Sequence, residues 1–189
     1  MYNLVLLPQM MLPNTYVSIA KALTLLIILQ SCKGETNPQH QPVQEINPEH
    51  LKKQFIKANQ QIVQKENDEM DYYAKSHQMP FIETKSGIRY YVYEPSAKGD
   101  SIKDGMEITM DFKISLLTGE EVYSSKQLGE KTFKVGYENI ESGIQKGVQY
   151  LKRGDKALLL IPSHLAHGLL GDSKKIPPQM PIVYDVQIH

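Results

Sequence analysis

Two histidines three residues apart, a serine, an aspartate and two lysines are gathered in PSHLAHGLLGDSKKIPP, residues 162–178. Those types allow three chemistries: metal binding by His164 and His167, nucleophilic catalysis by Ser163, or a shaped loop with no reactive side chain. A protein metal site wants three or four ligands in fixed geometry. The other histidines, His40, His50, His77 and His189, form no partnering motif, and the single cysteine is Cys32. An activated serine needs an oriented base. Ser163 lies in no Gly-x-Ser-x-Gly turn. Neither a phosphate-cradling glycine loop nor a dinucleotide fingerprint occurs. The residues favour a shaped loop, with no metal and no cofactor.

The elements around the loop set its context. KALLLIP (156–162) precedes it as a continuous apolar run, and PIVYDVQIH (181–189) follows it as an alternating one. Upstream, GIRYYVYEP (87–95) alternates around Ile88, Tyr90 and Val92. MEITMDFKISLL (106–117) puts Ile108, Met110, Phe112 and Ile114 on one face of a long strand. Thr118-Gly119 turns it into a second strand, VYSS, as a hairpin. KTFKVG (131–136) is a short strand. In ENIESGIQKGVQYLKRGD, Ile140, Ile144, Val148 and Leu151 recur at helical spacing, and Gly154 ends the run. Gly143 and Gly147 weaken that helix but let another element approach closely. One short helix among mostly antiparallel strands is an α+β domain whose sheet must wrap the helix. It is expected over residues 81–189.

Ahead of this domain, NPEHLKKQFIKANQQIVQKENDEMDYYAKSHQ opens with Asn47 as N-cap and Pro48 in the first helical position. Leu51, Phe55, Ala58, Ile62, Met70 and Tyr73 make one thin stripe of a long helix expected over 47–80. Such a helix either packs on its own domain by one edge or serves as an interaction arm, for instance in a homodimer. Residues 32–46 hold no apolar period and read as a flexible tether. Lys21, a short apolar run and Ser31 before Cys32 read as a secretory signal over 1–31. Leu29-Gln30-Ser31-Cys32 resembles a bacterial lipobox, which would make Cys32 a lipidated N-terminus. Lys+Arg and Asp+Glu are equal at 21 each, so no strong field favours nucleic acid.

The phrase GVQYLKRGDKALLLIPSHLAHGLLGDSKKIPPQMPIVYDVQI resembles the C-terminal half of the FKBP-type prolyl isomerase domain. Ile161-Pro162, Ala166, Gly168 and Ile176-Pro177-Pro178 hold the family's marker places. DFKISLLTGEEVYSS resembles its hairpin and ESGIQKGVQYL its helix. With the Ser-Cys anchor, the chain is most similar to the gliding-motility-associated FKBP-type lipoproteins of the Bacteroidetes. The resemblance implies an FKBP-like antiparallel sheet around a short helix, preceded by the long helix. It also implies prolyl isomerase activity on proline-containing polypeptides, at the cell envelope on a periplasm-facing outer-membrane anchor.

It further implies a catalytic pocket. Phe112 takes a position usually held by Tyr. Val122 and Tyr123 stand where the family has Phe and Asp. Phe133 matches a Phe on the next strand, with the segment from there to Ile140 about two residues short of the family's. Ile140 matches an apolar residue before the helix, and Glu141 falls where an Ile lends its backbone N–H to the ligand. Ile144 replaces a Trp, and His167 replaces the Tyr of Ala-Tyr-Gly. Ile176 is retained in the flap, and Tyr184 stands for a Phe. The lost acid, Trp and Tyr predict weaker catalysis, with a binding or chaperone module as the alternative.

Overall fold

A computed structural model describes residues 47–189. The expected signal, the tether before Ile46 and Cys32 lie outside the described residues. Helix α1 runs from Pro48 to Ser76. Asn47 caps it, its side chain accepting from the N–H groups of Glu49 (3.0 Å) and His50 (3.4 Å). Among the described residues no helix is long and apolar enough to cross a membrane.

The strands are β1 (Ile82–Glu83), β2 (Arg89–Glu94), β3 (Glu107–Leu116), β4 (Glu121–Ser124), β5 (Lys131–Lys134), β6 (Lys156–Ile161) and β7 (Ile182–Ile188). They pair antiparallel in the order β1-β2-β6-β7-β3-β4. The edge of β3 is shared: β5 pairs with its first half and β4 with its second. Two short helices interrupt the sheet, α2 (Ser125–Leu128) and α3 (Ser142–Gly147). The helix expected through Leu151 is shorter. It breaks into a 3-10 turn at Val148–Tyr150.

The concave face of the sheet carries the alternating residues. Ile108, Met110, Phe112, Ile114 and Leu116 of β3 are buried there with Ile144 and Val148. The two glycines of α3 permit this contact. A Cβ on Gly143 would lie 2.2 Å from Ile161 Cγ2, and one on Gly147 would lie 2.9 Å from Leu159 Cδ1.

The opposite face explains why β6 is apolar throughout. Leu160 and Val183 are buried there under Met70 of α1, with Tyr73, Phe81, Leu117 and Leu158 around them. A strand covered on both faces reads as a continuous run. Only the second half of α1 docks. Leu51 and Phe55, at the start of its stripe, are exposed.

Arg89 clamps the docked half. It is buried, and its guanidinium reaches Asp71 of α1 at 2.9 Å and Glu83 at 3.7 Å. Met70→Ala should therefore cost ~2–5 kcal/mol of stability in a urea titration. Phe55→Ala, whose side chain is 61% exposed, should change it by less than about 0.5 kcal/mol.

Candidate functional site

The segment after β6 begins at the joint between α1 and the sheet. A 3-10 turn, Ser163–Leu165, starts it. Ser163 is buried, and its N–H donates to Glu66 Oε2 at 2.9 Å. Its hydroxyl donates to Glu66 Oε1 at 2.5 Å. The serine that suggested nucleophilic chemistry is thus committed to holding the flap's root to α1. Glu66 itself is 3% exposed.

Further along, Asp172 folds the flap. Its Oδ1 accepts from the N–H groups of Lys174 (2.9 Å), Lys175 (2.9 Å) and Ile176 (2.8 Å). Its other oxygen accepts from the Tyr123 hydroxyl of β4. Lys175 Nζ donates to the Val122 carbonyl at 2.8 Å and stands over the Tyr123 ring, 5.2 Å from its centroid. Gly171 allows the tight fold: its φ is +68°, and a Cβ would meet Ile176 O at 2.1 Å.

Between the flap, β3, β4, β5 and β7 lies a cleft of about 370 Å³. Phe112, Ile114, Tyr123, Leu128 and Tyr184 form its apolar and aromatic walls. The Phe112 and Tyr184 rings are 6.4 Å apart at 45°. Lys131, Glu141, His167, Asp172 and Lys174 complete the lining. Lys131 Nζ lies 3.2 Å from Glu141 Oε2. The Tyr184 hydroxyl donates to Glu141 Oε1 at 3.2 Å, and His167 Nε2 is 3.6 Å from the same oxygen.

Charge and burial oppose one another here. Burial alone would raise the Glu141 carboxyl, but the Lys131 ammonium, its own backbone amide and His167 bring it below the ordinary range. Burial, then the neighbouring Glu141 charge, pushes the Tyr184 phenol well up. For Asp172 burial also acts upward. The Tyr123 hydroxyl and the three backbone amides outweigh it and hold the carboxyl well below its usual value.

Five of the ten expected pocket residues line the cleft: Phe112, Tyr123, Glu141, His167 and Tyr184. Val122, Phe133, Ile144 and Ile176 are instead buried in the core and lend it no surface. Ile140 is half-buried at the core's margin. For Phe133 the correction has a register cause. It pairs with Ile108, deep under the sheet, whereas Lys131 pairs with Met110 and faces the cleft. Assigning the cleft position to Lys131, two residues upstream, also removes the apparent two-residue shortening before Ile140. Ile114, Leu128, Lys131, Asp172 and Lys174 were not expected. Alternation pointed to Ile114 and Lys131, which share strand faces with Phe112 and Phe133.

The family model for FKBP-type peptidyl-prolyl cis-trans isomerases matches residues 99–189, which include β3 to β7 and the flap. Over these residues the chain is similar to that family. FkpA of Escherichia coli strain K12, named as an FKBP-type isomerase, is 32% identical over 106 residues. That stretch is 56% of this chain and 38% of FkpA. FkpA of Buchnera aphidicola from Acyrthosiphon pisum is 30% identical over 105 residues, 56% of this chain and 42% of that protein. The chain therefore spans under half the length of these relatives. Among solved structures, AtFKBP13 superposes with a TM-score of 0.53 at 25% identity, covering 57% of this chain and 94% of that one. The crystal structure of Escherichia coli FkpA shares the fold, with a TM-score of 0.57 at 24% identity over 91% of this chain and 80% of that one.

The Asp172 geometry gives this domain a pH response. A depressed folded-state pKa gives stability that is fully present above the unfolded value of about 3.9. That stability is lost as pH falls through the lower folded value. Chemical shifts of the amides of 174–176 should stay constant from pH 7 to about 5 and move only below about 4. Asp172→Asn should abolish that acid transition.

Proposed function

We propose that this chain is a peptidyl-prolyl cis-trans isomerase that assists the folding of exported proteins, with proline-containing polypeptides as clients. The observation that carries this is the aromatic cleft of about 370 Å³ closed by a flap rooted at Ser163 and pinned by Asp172. Rotation about an Xaa–Pro amide faces a barrier of about 18–20 kcal/mol held up by resonance. No bond breaks, so neither a nucleophile nor a proton relay is required. A site that grips the proline ring, excludes water and holds the carbonyl favours the twisted amide over the planar one. Phe112 and Tyr184 supply the grip. Each 1.36 kcal/mol of preferential binding is worth about tenfold in rate.

The lipobox-like Leu29-Gln30-Ser31-Cys32 supports lipidation at Cys32 and tethering in the cell envelope, on a periplasm-facing outer membrane. Likeness to the gliding-motility lipoproteins extends the reading to support of that machinery. The exposed first half of α1, with Leu51 and Phe55 uncovered, suits a homodimer contact. A second reading, a weakly catalytic FKBP-like binding module, is favoured by one observation: Glu141 and Lys131 put an ion pair inside the cleft. A groove of about 830 Å³ between α1 and the turn at Leu117–Thr118 offers such a module a second surface.

In a proline-limited refolding assay the protein should accelerate the slow phase, less than a member with an apolar cleft does. An unchanged slow phase with suppressed aggregation would replace the enzyme by the binding module. In cells, Cys32→Ser should move the chain from the membrane to the soluble fraction on ultracentrifugation. Continued sedimentation with membranes would refute the anchor.

A further inference from the structure

Glu141 stands inside the cleft. Donor-bearing side chains from three elements converge on its carboxylate: Lys131 of β5 and Tyr184 of β7, each at 3.2 Å, and His167 of the flap at 3.6 Å. His167 Nε2 is buried there and has no hydrogen-bond partner. This is the arrangement an acidic ligand would require, and the chain's own side chain fills it.

A client that binds against these donors competes with that carboxylate. A neutral segment that displaces it leaves the buried Tyr184 hydroxyl without an acceptor, which is penalised, and leaves the half-buried Lys131 ammonium without its carboxylate. A segment bearing its own carboxylate exchanges like for like and leaves each donor satisfied. The rim acts in the same direction. Lys174 lines the cleft and Lys175 stands over Tyr123, and neither makes a salt bridge among the described residues. Asp172, the other acid of the lining, already accepts four hydrogen bonds. Among the described residues, Lys174 is therefore the lining cation left with no ionic partner.

We propose that Glu141 is an internal stand-in for an acidic client side chain, and that the cleft takes segments carrying a carboxylate next to the proline. This rests on reading the cleft as a proline site, and it names the class of segment that site prefers.

Fluorescent peptides differing only in Glu-Pro, Gln-Pro or Lys-Pro can be titrated against the full chain by anisotropy, with isomerisation followed by NMR exchange on the same samples. Glu-Pro should bind about tenfold more tightly than Gln-Pro, the equivalent of ~1.4 kcal/mol. Lys-Pro should bind most weakly. Glu141→Ala should tighten Gln-Pro about tenfold, because no occupant has to leave. Lys131→Met should erase most of the Glu-Pro advantage. Glu141→Gln, which keeps the shape but loses the charge attraction to Lys131, serves if the alanine variant does not fold, with a smaller tightening of Gln-Pro expected because its occupant is held less strongly. Equal binding of Glu-Pro and Gln-Pro by the unsubstituted chain overturns the proposal. So does a Glu141 variant that leaves Gln-Pro unchanged, including the case where no peptide binds to either protein. Discriminating binding without isomerisation would uphold this proposal and overturn the isomerase reading.

Discussion

Glu66 enters an apolar joint between α1 and the end of β6, so its carboxylate must find hydrogen bonds there or be expelled. Among the described residues it has no salt bridge, and its two oxygens are met by the N–H and hydroxyl of Ser163. That pairing sets two things at once. It fixes which face of α1 meets the sheet, since Met70 lies one turn further along the same face and is buried on Leu160 and Val183. It also fixes where the flap starts, because Ser163 is the first residue after Pro162. Arg89 repeats the device at the other edge of the contact, with Asp71 as its close partner. The helix and the cleft-bearing domain are thus joined through one buried polar pair, Glu66 with Ser163, and one buried guanidinium that reaches exposed acids, and hydrogen-bond geometry is far less forgiving than apolar contact.

The cleft shows the same physics turned to a different end. In a poorly solvated site an ion pair is strong when satisfied and expensive when broken. Lys131 and Glu141 place charge where the cleft would otherwise present apolar surface. Replacing that surface by charge trades breadth for discrimination, since mismatched partners leave buried groups unpaired. The phenol of Tyr184 belongs to both regimes. Its ring walls the cleft beside Phe112, and its hydroxyl helps hold Glu141.

Much of the fold was legible in the sequence because it rests on periodicity. The face of β3 from Ile108 to Ile114, the hairpin at Gly119 and the close approach at Gly143 and Gly147 all follow from local rules. The charged residues that organise the site were not legible in that way. Glu66, Arg89 and Lys131 look like solvated surface in a linear reading, and only tertiary contact buries them. Glu66 did carry a signal, since it lies at i+4 from Ile62 and i−4 from Met70 on the stripe that docks. Phe133 misled for a related reason. It and Lys131 share one face of β5, and residue type alone favours the aromatic for a pocket. The register decides otherwise, placing Phe133 opposite Ile108 in the core. Leu51 and Phe55 were read into the same stripe as Met70, yet nothing in the domain reaches that far along α1.

The two anchors of the flap constrain what lies between them. Its root is held by Glu66 and its middle by Asp172, Tyr123 and the Lys175 contact to Val122. Leu169 and Leu170 fall within this span and remain 60% and 80% exposed. Between the two anchors their apolar surface is presented to solvent. Leu128, across the cleft in α2, is exposed as well. Leu128 thus adds exposed apolar surface to a cleft whose lining also holds Lys131 and Glu141. Surface that is held in place beforehand costs little further ordering when it is covered.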